Sequence, residues 1–132
     1  MPIPEPGARP LAVLLVDDDE NTREVYAEYC RCVGVLARTA ADGDEALASV
    51  RADRPDVIVL DYAMPGKNGI DVLNLLRDDR ALAAIPVIIL SGRDRDLQSV
   101  HGAPWLRKPL DPSELLEHIR QVLVHSEVSP RV

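Results

Sequence analysis

Three aspartates, Asp17, Asp18 and Asp19, follow directly on an apolar run, and another, Asp61, closes a second such run. Ser91 ends a third run in the same way, and Lys108 follows a short fourth one. Carboxylates delivered to one place by separate segments repel each other unless one is protonated or a cation lies among them. Hard oxygen ligands with room for water suit Mg²⁺ or Mn²⁺ better than zinc. A carboxylate beside such an ion can attack an activated phosphorus and form an acyl phosphate, while the cation offsets charge on the transferring oxygens. A serine hydroxyl can donate to one phosphoryl oxygen and a lysine ammonium can pair with another. Asp17, Asp18, Asp61, Ser91 and Lys108 are thus candidates for a phosphoryl site. Asp19 reads as a surface or capping acid.

Whether these residues meet depends on the elements that carry them. The runs Leu11 to Val16, Asp56 to Leu60 and Pro86 to Leu90 are short, continuous and rich in β-branched residues, the pattern of strands buried on both faces of a parallel sheet. Val35 to Ala40 and Pro104 to Arg107 are weaker strands of the same kind. Helical spacing fills the gaps. Asn21 to Val33 has Asn21 or Thr22 as cap and Val25, Tyr29 and Cys32 on one face. Asp42 to Arg51 turns Ala46, Leu47 and Val50 inward, and Gly69 to Asp79 does so with Ile70, Leu73 and Leu76. Pro112 opens the last helix, whose inward residues are Leu115, Leu116, Ile119, Val122 and Leu123. A strand–helix unit repeated five times, joined by right-handed crossovers, gives a doubly wound sheet of five parallel strands with helices on both faces. Functional residues in such folds gather at the C-terminal ends of the strands. Four of the five expected strands deliver a polar or charged residue there; the second delivers only Ala40 and Ala41.

The 132 residues suit one domain, read as a disordered Pro-rich leader over 1–10, a domain over 11–125 and a short tail over 126–132. Hydrophobic residues make up 46% of the chain but aromatic ones only 3%, with no Phe, so the core must be aliphatic. A net charge of −7 argues against a grip on nucleic acid. No apolar run reaches membrane-spanning length, and the N-terminus lacks the basic-then-apolar pattern of a signal peptide. Cys30 and Cys32 stand two apart in a helix, so their side chains diverge and read as reduced thiols of a cytoplasmic protein. His101, His118 and His125 have no partners at ligand spacing and read as surface residues. The absence of a Gly-rich phosphate loop disfavours a nucleotide hydrolase.

Five motifs together resemble the receiver domain of two-component response regulators over roughly Leu11 to His125. They are Val16-Asp17-Asp18; the stretch from Ala40 through Asp42-Gly43 to Glu45-Ala46-Leu47; Asp61-Tyr62-Ala63-Met64-Pro65-Gly66 with Gly69; Ser91-Gly92; and Lys108-Pro109. The resemblance implies a flavodoxin-like fold with the strand order 2-1-3-4-5 and makes Asp61 the phosphoacceptor for a sensor histidine kinase or phosphotransfer protein. It implies Mg²⁺ or Mn²⁺ bound by Asp18 directly, by Asp17 mainly through water, by Asp61, and by the backbone carbonyl of Ala63. Ser91 and Lys108 would hold the phosphoryl group, and the Lys108–Pro109 bond would be cis. Trp105 falls at the family's switch aromatic, acting with Ser91. Met64, Pro65, Gly66 and Gly69 shape the loop without touching phosphate.

Three features depart from that family. Trp105 follows Ser91 by only fourteen positions, so the fourth helix, over 93–103, is expected to be short, displaced or replaced by a loop, which puts dimerisation through that face in doubt while leaving a homodimer possible. Pro104 precedes the switch residue and suits a sheet edge. Ala63 and Arg93 stand where relatives tune hydrolysis of the phosphoryl group. The reading is a stand-alone receiver that signals to a downstream protein through altered protein contacts. It would be a self-phosphorylating and self-dephosphorylating switch rather than a turnover enzyme. The alternative is a receiver-like interaction module that works without phosphorylation. An aspartyl phosphohydrolase is disfavoured, because Ala63 stands where a second Asp would serve as general acid.

Overall fold

The computed structural model describes residues 9–92 and 103–128. The fourth-helix segment, Arg93, His101, the tail from residue 129 and most of the expected leader lie outside them. The elements are β1 (Ala12–Val16), α1 (Glu20–Cys32), β2 (Leu36–Ala40), α2 (Gly43–Ala52), β3 (Val57–Asp61), α3 (Gly69–Asp78), β4 (Val87–Ser91), β5 (Trp105–Arg107) and α4 (Pro112–Val128). The last helix runs past the boundary expected at His125.

All five strands are parallel, in the order β2-β1-β3-β4-β5. Alternate residues of each central strand enter opposite layers. Leu14, Val16, Ile58, Leu60, Val87 and Ile89 meet Leu47, Leu73 and Leu76 of α2 and α3 on one side. Val13, Leu15, Val57, Val59, Ile88 and Leu90 meet Tyr26, Ala27, Leu115 and Ile119 of α1 and α4 on the other. This two-sided burial is why the runs are continuously apolar, and each fully buried Val, Leu or Ile contributes about 1.5–3 kcal/mol.

The helix boundaries follow from caps. Asp19, rather than Asn21 or Thr22, caps α1: its carboxylate accepts from the Thr22 amide at 3.1 Å and from the Thr22 hydroxyl. Asp42 caps α2, and Asn68 with Asp71 forms a reciprocal capping box on α3. The inward face of α1 also differs from expectation. Tyr26, Ala27 and Cys30 are buried, Tyr29 is half-buried, and Val25 and Cys32 are exposed. The two thiols therefore do diverge. In α3, Val72 joins Leu73 and Leu76 inside, and Ile70 is only half-buried. In α4, Leu115, Leu116 and Ile119 are buried, with Val122 and Leu123 packed at the margin.

At the opposite end of the sheet from the site, Arg9 holds both oxygens of Asp56, which also accepts from the Ala12 amide at 2.8 Å. Burial would raise the Asp56 carboxyl, but these partners hold it below the usual carboxylate value. Pro104 lies just outside the edge strand β5, where its missing N–H leaves no gap, and its carbonyl accepts from the Ile89 amide at 2.9 Å. Among the described residues, no helix is long and apolar enough to cross a membrane.

Candidate functional site

Register decides which side chains can meet. Val16 pairs with Leu60 across β1 and β3, and Asp61 pairs with Leu90 across β3 and β4. Asp17, Asp61 and Ser91 therefore emerge at one edge of the sheet, and the loop after β5 brings Lys108 to the same edge. Asp17 continues β1 by one residue, its amide donating to the Ala40 carbonyl at 3.1 Å. Asp17, Asp61 and Ser91 are buried, at 4%, 6% and 1% exposure, whereas Asp18 is exposed.

The Lys108 ammonium bridges the two buried carboxylates, with Nζ 3.1 Å from Asp17 Oδ2 and 3.1 Å from Asp61 Oδ1. The other Asp17 oxygen accepts from the Asp19 amide at 2.9 Å. One oxygen from each of Asp17, Asp18 and Asp61 lies within 4.8 Å of the others. That all-carboxylate set, with one member open to solvent, fits a hard divalent ion that keeps some of its water.

Burial, and then the charge of Asp17, push the Asp61 carboxyl up to about 6, against the pull of Lys108. Burial draws the Lys108 ammonium down, but its hydrogen bonds to Asp61 and Asp17 and their charges leave it above its ordinary value. The Lys108–Pro109 bond is cis, and the Lys108 amide donates to the Ser91 carbonyl at 2.7 Å.

Ala63 is exposed in the turn after β3, while Met64 is buried in the core and Pro65 and Gly66 are exposed. Gly66 has φ +77°, a conformation natural to glycine. Gly69 opens α3 against the strand end: a Cβ there would lie 3.0 Å from the Asp61 carbonyl oxygen and 3.0 Å from the Tyr62 Cα. Both are backbone atoms, so Gly69→Ala must shift α3 or the Asp61 turn. It is expected to cost about 1–3 kcal/mol in urea unfolding and to slow any chemistry at Asp61.

Three contacts were missed from sequence. Tyr62 stacks on Trp105 with centroids 5.3 Å apart and planes tilted by 42°; its place directly after Asp61 was the available signal. Trp105 is half-buried, and its Nε1 is shut from solvent with no hydrogen-bond partner among the described residues. Arg23 donates to the Asp17 carbonyl at 3.2 Å, and the Tyr26 hydroxyl donates to the Leu110 carbonyl at 2.8 Å. No spacing rule announces either one.

Residues 13–120 match the family model of the response regulator receiver domain. The chain belongs to that family. This receiver is 34% identical over 123 residues to the DNA-binding response regulator MtrA of Mycolicibacterium smegmatis, covering 89% of this chain and 53% of that protein. It is 32% identical to the probable transcriptional regulatory protein TcrX of Mycobacterium tuberculosis, with 92% and 53% covered. The chain spans about half the length of the curated relatives it matches. Among solved structures it superimposes on the chemotaxis response regulator CheY4 of Vibrio cholerae with a TM-score of 0.79 and 31% identity, covering 87% of this chain and 100% of that one. A putative response regulator from Chloroflexus aurantiacus gives 0.80 and 28% identity, covering 88% of this receiver and 99% of that chain.

Proposed function

We propose that this receiver accepts a phosphoryl group on Asp61, in a reaction that needs Mg²⁺ or Mn²⁺, from a sensor histidine kinase or a phosphotransfer protein. The observation that carries the reading is the bridge of Lys108 Nζ, 3.1 Å from both Asp61 and Asp17, beside a set of three carboxylates of ion-binding size. An Asp61 carboxylate oxygen attacks phosphorus and forms the acyl phosphate. The bond from phosphorus to the donor histidine nitrogen breaks, and its electron pair stays on the imidazole.

Asp18, Asp61 and the carbonyl of Ala63 would hold the cation, with Asp17 contributing mainly through water. Such a cation supplies charge stabilisation to the transferring oxygens. Lys108 pairs with one phosphoryl oxygen and the Ser91 hydroxyl donates to another. Ser91 and Trp105 carry the change outward, biasing a two-state equilibrium of the receiver.

The output is a change in protein–protein contacts with a downstream partner, including self-association. The chain acts as a self-limiting switch rather than a turnover enzyme, in the cytoplasm, without membrane insertion. The net charge of −7 argues against direct nucleic-acid contact by these residues.

Trp105 is the one tryptophan, so its emission reports on the switch directly. Beryllium fluoride with Mg²⁺ should shift that emission, and Asp61→Asn should abolish the shift. An emission that ignores beryllium fluoride in the wild-type protein would favour a module that works without phosphorylation.

A further inference from the structure

We propose that Tyr26 is a positioning residue for Lys108, fixing the ammonium through the carbonyl of Leu110; this rests on the reading that Lys108 serves phosphoryl acceptance at Asp61. Tyr26 lies on α1, 7% exposed, and its hydroxyl donates to the Leu110 carbonyl at 2.8 Å, from a position 84 residues away in the chain. Leu110 is two residues beyond Lys108, in the short loop that leads from β5 to α4.

Among the described residues, that loop is held at three points besides the Lys108 ammonium. The Lys108 amide donates to the Ser91 carbonyl at 2.7 Å. Asp111 closes the other end, its carboxylate accepting from the Ser113 amide at 2.9 Å and its carbonyl from the Leu115 amide at 3.0 Å. The first anchor ties the loop to β4 and the last only to its own helix. Tyr26 is the anchor that reaches it from α1.

Helix α1 is also bound to the acidic half of the site. Asp19 caps it, and Arg23 donates to the carbonyl of Asp17 at 3.2 Å. Arg23 and Tyr26 are three positions apart, so they project from adjacent turns on one side of the helix. One turn of α1 holds the segment that bears Asp17, and the next holds the segment that bears Lys108. The helix thereby sets the separation of carboxylate and ammonium. A tyrosine hydroxyl stands too far out on its ring to use the carbonyl of its own helix four residues back, as a serine or threonine can. Tyr26 instead reaches the catalytic loop.

The test exploits composition: the chain has two lysines, Lys67 and Lys108. With ¹⁵N-labelled lysine, the cation-free full chain gives two ammonium signals, assigned with Lys67→Arg. In Tyr26→Phe the Lys108 ammonium should exchange its protons faster and shift, while Lys67, paired with Asp44 on the surface, stays unchanged. With Mg²⁺ at saturation, phosphorylation by acetyl phosphate should slow by roughly three- to tenfold. The same substitution in a Lys108→Met background should slow it no further. An unmoved Lys108 signal, or an equal slowing in both backgrounds, would overturn the proposal. If the wild-type protein took up no phosphoryl group, the proposed function would fall, and the ammonium spectra would still decide whether Tyr26 places Lys108.

Discussion

Replacing Lys108 with methionine is expected to cost more stability than any other single change at the site. Methionine keeps the apolar stem but removes the ammonium that lies 3.1 Å from both Asp17 and Asp61. Both acids are buried, so they would face each other across a medium that screens poorly. Removing one partner from such a cluster costs about 3 kcal/mol or more. The sign with pH follows from the groups involved. The lysine has a raised value, so its contribution is present throughout the neutral range and fades only as pH rises through that value. The loss in the variant is largest above about pH 6, where the Asp61 carboxyl of the native protein is ionised. It shrinks at lower pH as Asp61 takes up a proton. Urea unfolding of both proteins in chelator across that range measures it. At neutral pH with Mg²⁺, the variant should also lose about a hundredfold in phosphorylation rate. Equal stability of the two proteins at pH 8 would show that the bridge does not balance the acids.

Asp61→Asn should move stability the other way. The folded protein raises this carboxyl from its ordinary value to about 6. The native state therefore binds the proton more tightly than the unfolded chain does, and stability falls as pH rises through that window. With the side chain only 8% exposed, the ionised form costs the cation-free protein about 2–3 kcal/mol above pH 6. Asparagine keeps the shape without the charge. The variant should therefore melt on the order of 10 °C higher than wild type at pH 7.5 in chelator. The advantage should shrink below pH 6 and vanish only as pH falls through the ordinary value of 3.8, below which the wild-type acid is neutral in both states. Mg²⁺ should stabilise the wild type more than the variant and narrow the gap. A variant that melts lower at every pH would contradict this account of the site's electrostatics.

Much of this was legible in the chain because burial writes itself into composition. Strands covered on both faces must be apolar throughout, so the runs ending at Val16, Leu60 and Leu90 gave away both the sheet and its polar edge. Asp17, Asp61, Ser91 and Lys108 were found as the first polar residues after those runs or after the short edge strand. Helix phase was less legible. A shift of one residue turns a helix face by about 100°, and α1 carries two neighbouring apolar sets, Val25, Tyr29 and Cys32 beside Tyr26, Ala27 and Cys30, of which the second is the buried one. Its cap was misplaced for a related reason, because Asp19, Asn21 and Thr22 are all competent caps and only tertiary docking chooses among them.

The contacts of Arg23 with the Asp17 carbonyl and of Tyr26 with the Leu110 carbonyl were not legible at all. Their acceptors are backbone oxygens, which every residue carries, so no residue type marks them. The stacking of Tyr62 on Trp105 joins the residue after Asp61 to the aromatic of β5, and it appears only once β4 is laid between β3 and β5.

The central claim is that Asp61 is the residue that takes the phosphoryl group. Intact-mass spectrometry of the full chain with acetyl phosphate tests it most directly, run with and without Mg²⁺ on the wild type and on Asp61→Asn. The wild type should gain the mass of one phosphoryl group only when Mg²⁺ is present, and the variant should gain none. A variant that gains the same mass at the same rate, or a wild type that gains none, would contradict the account.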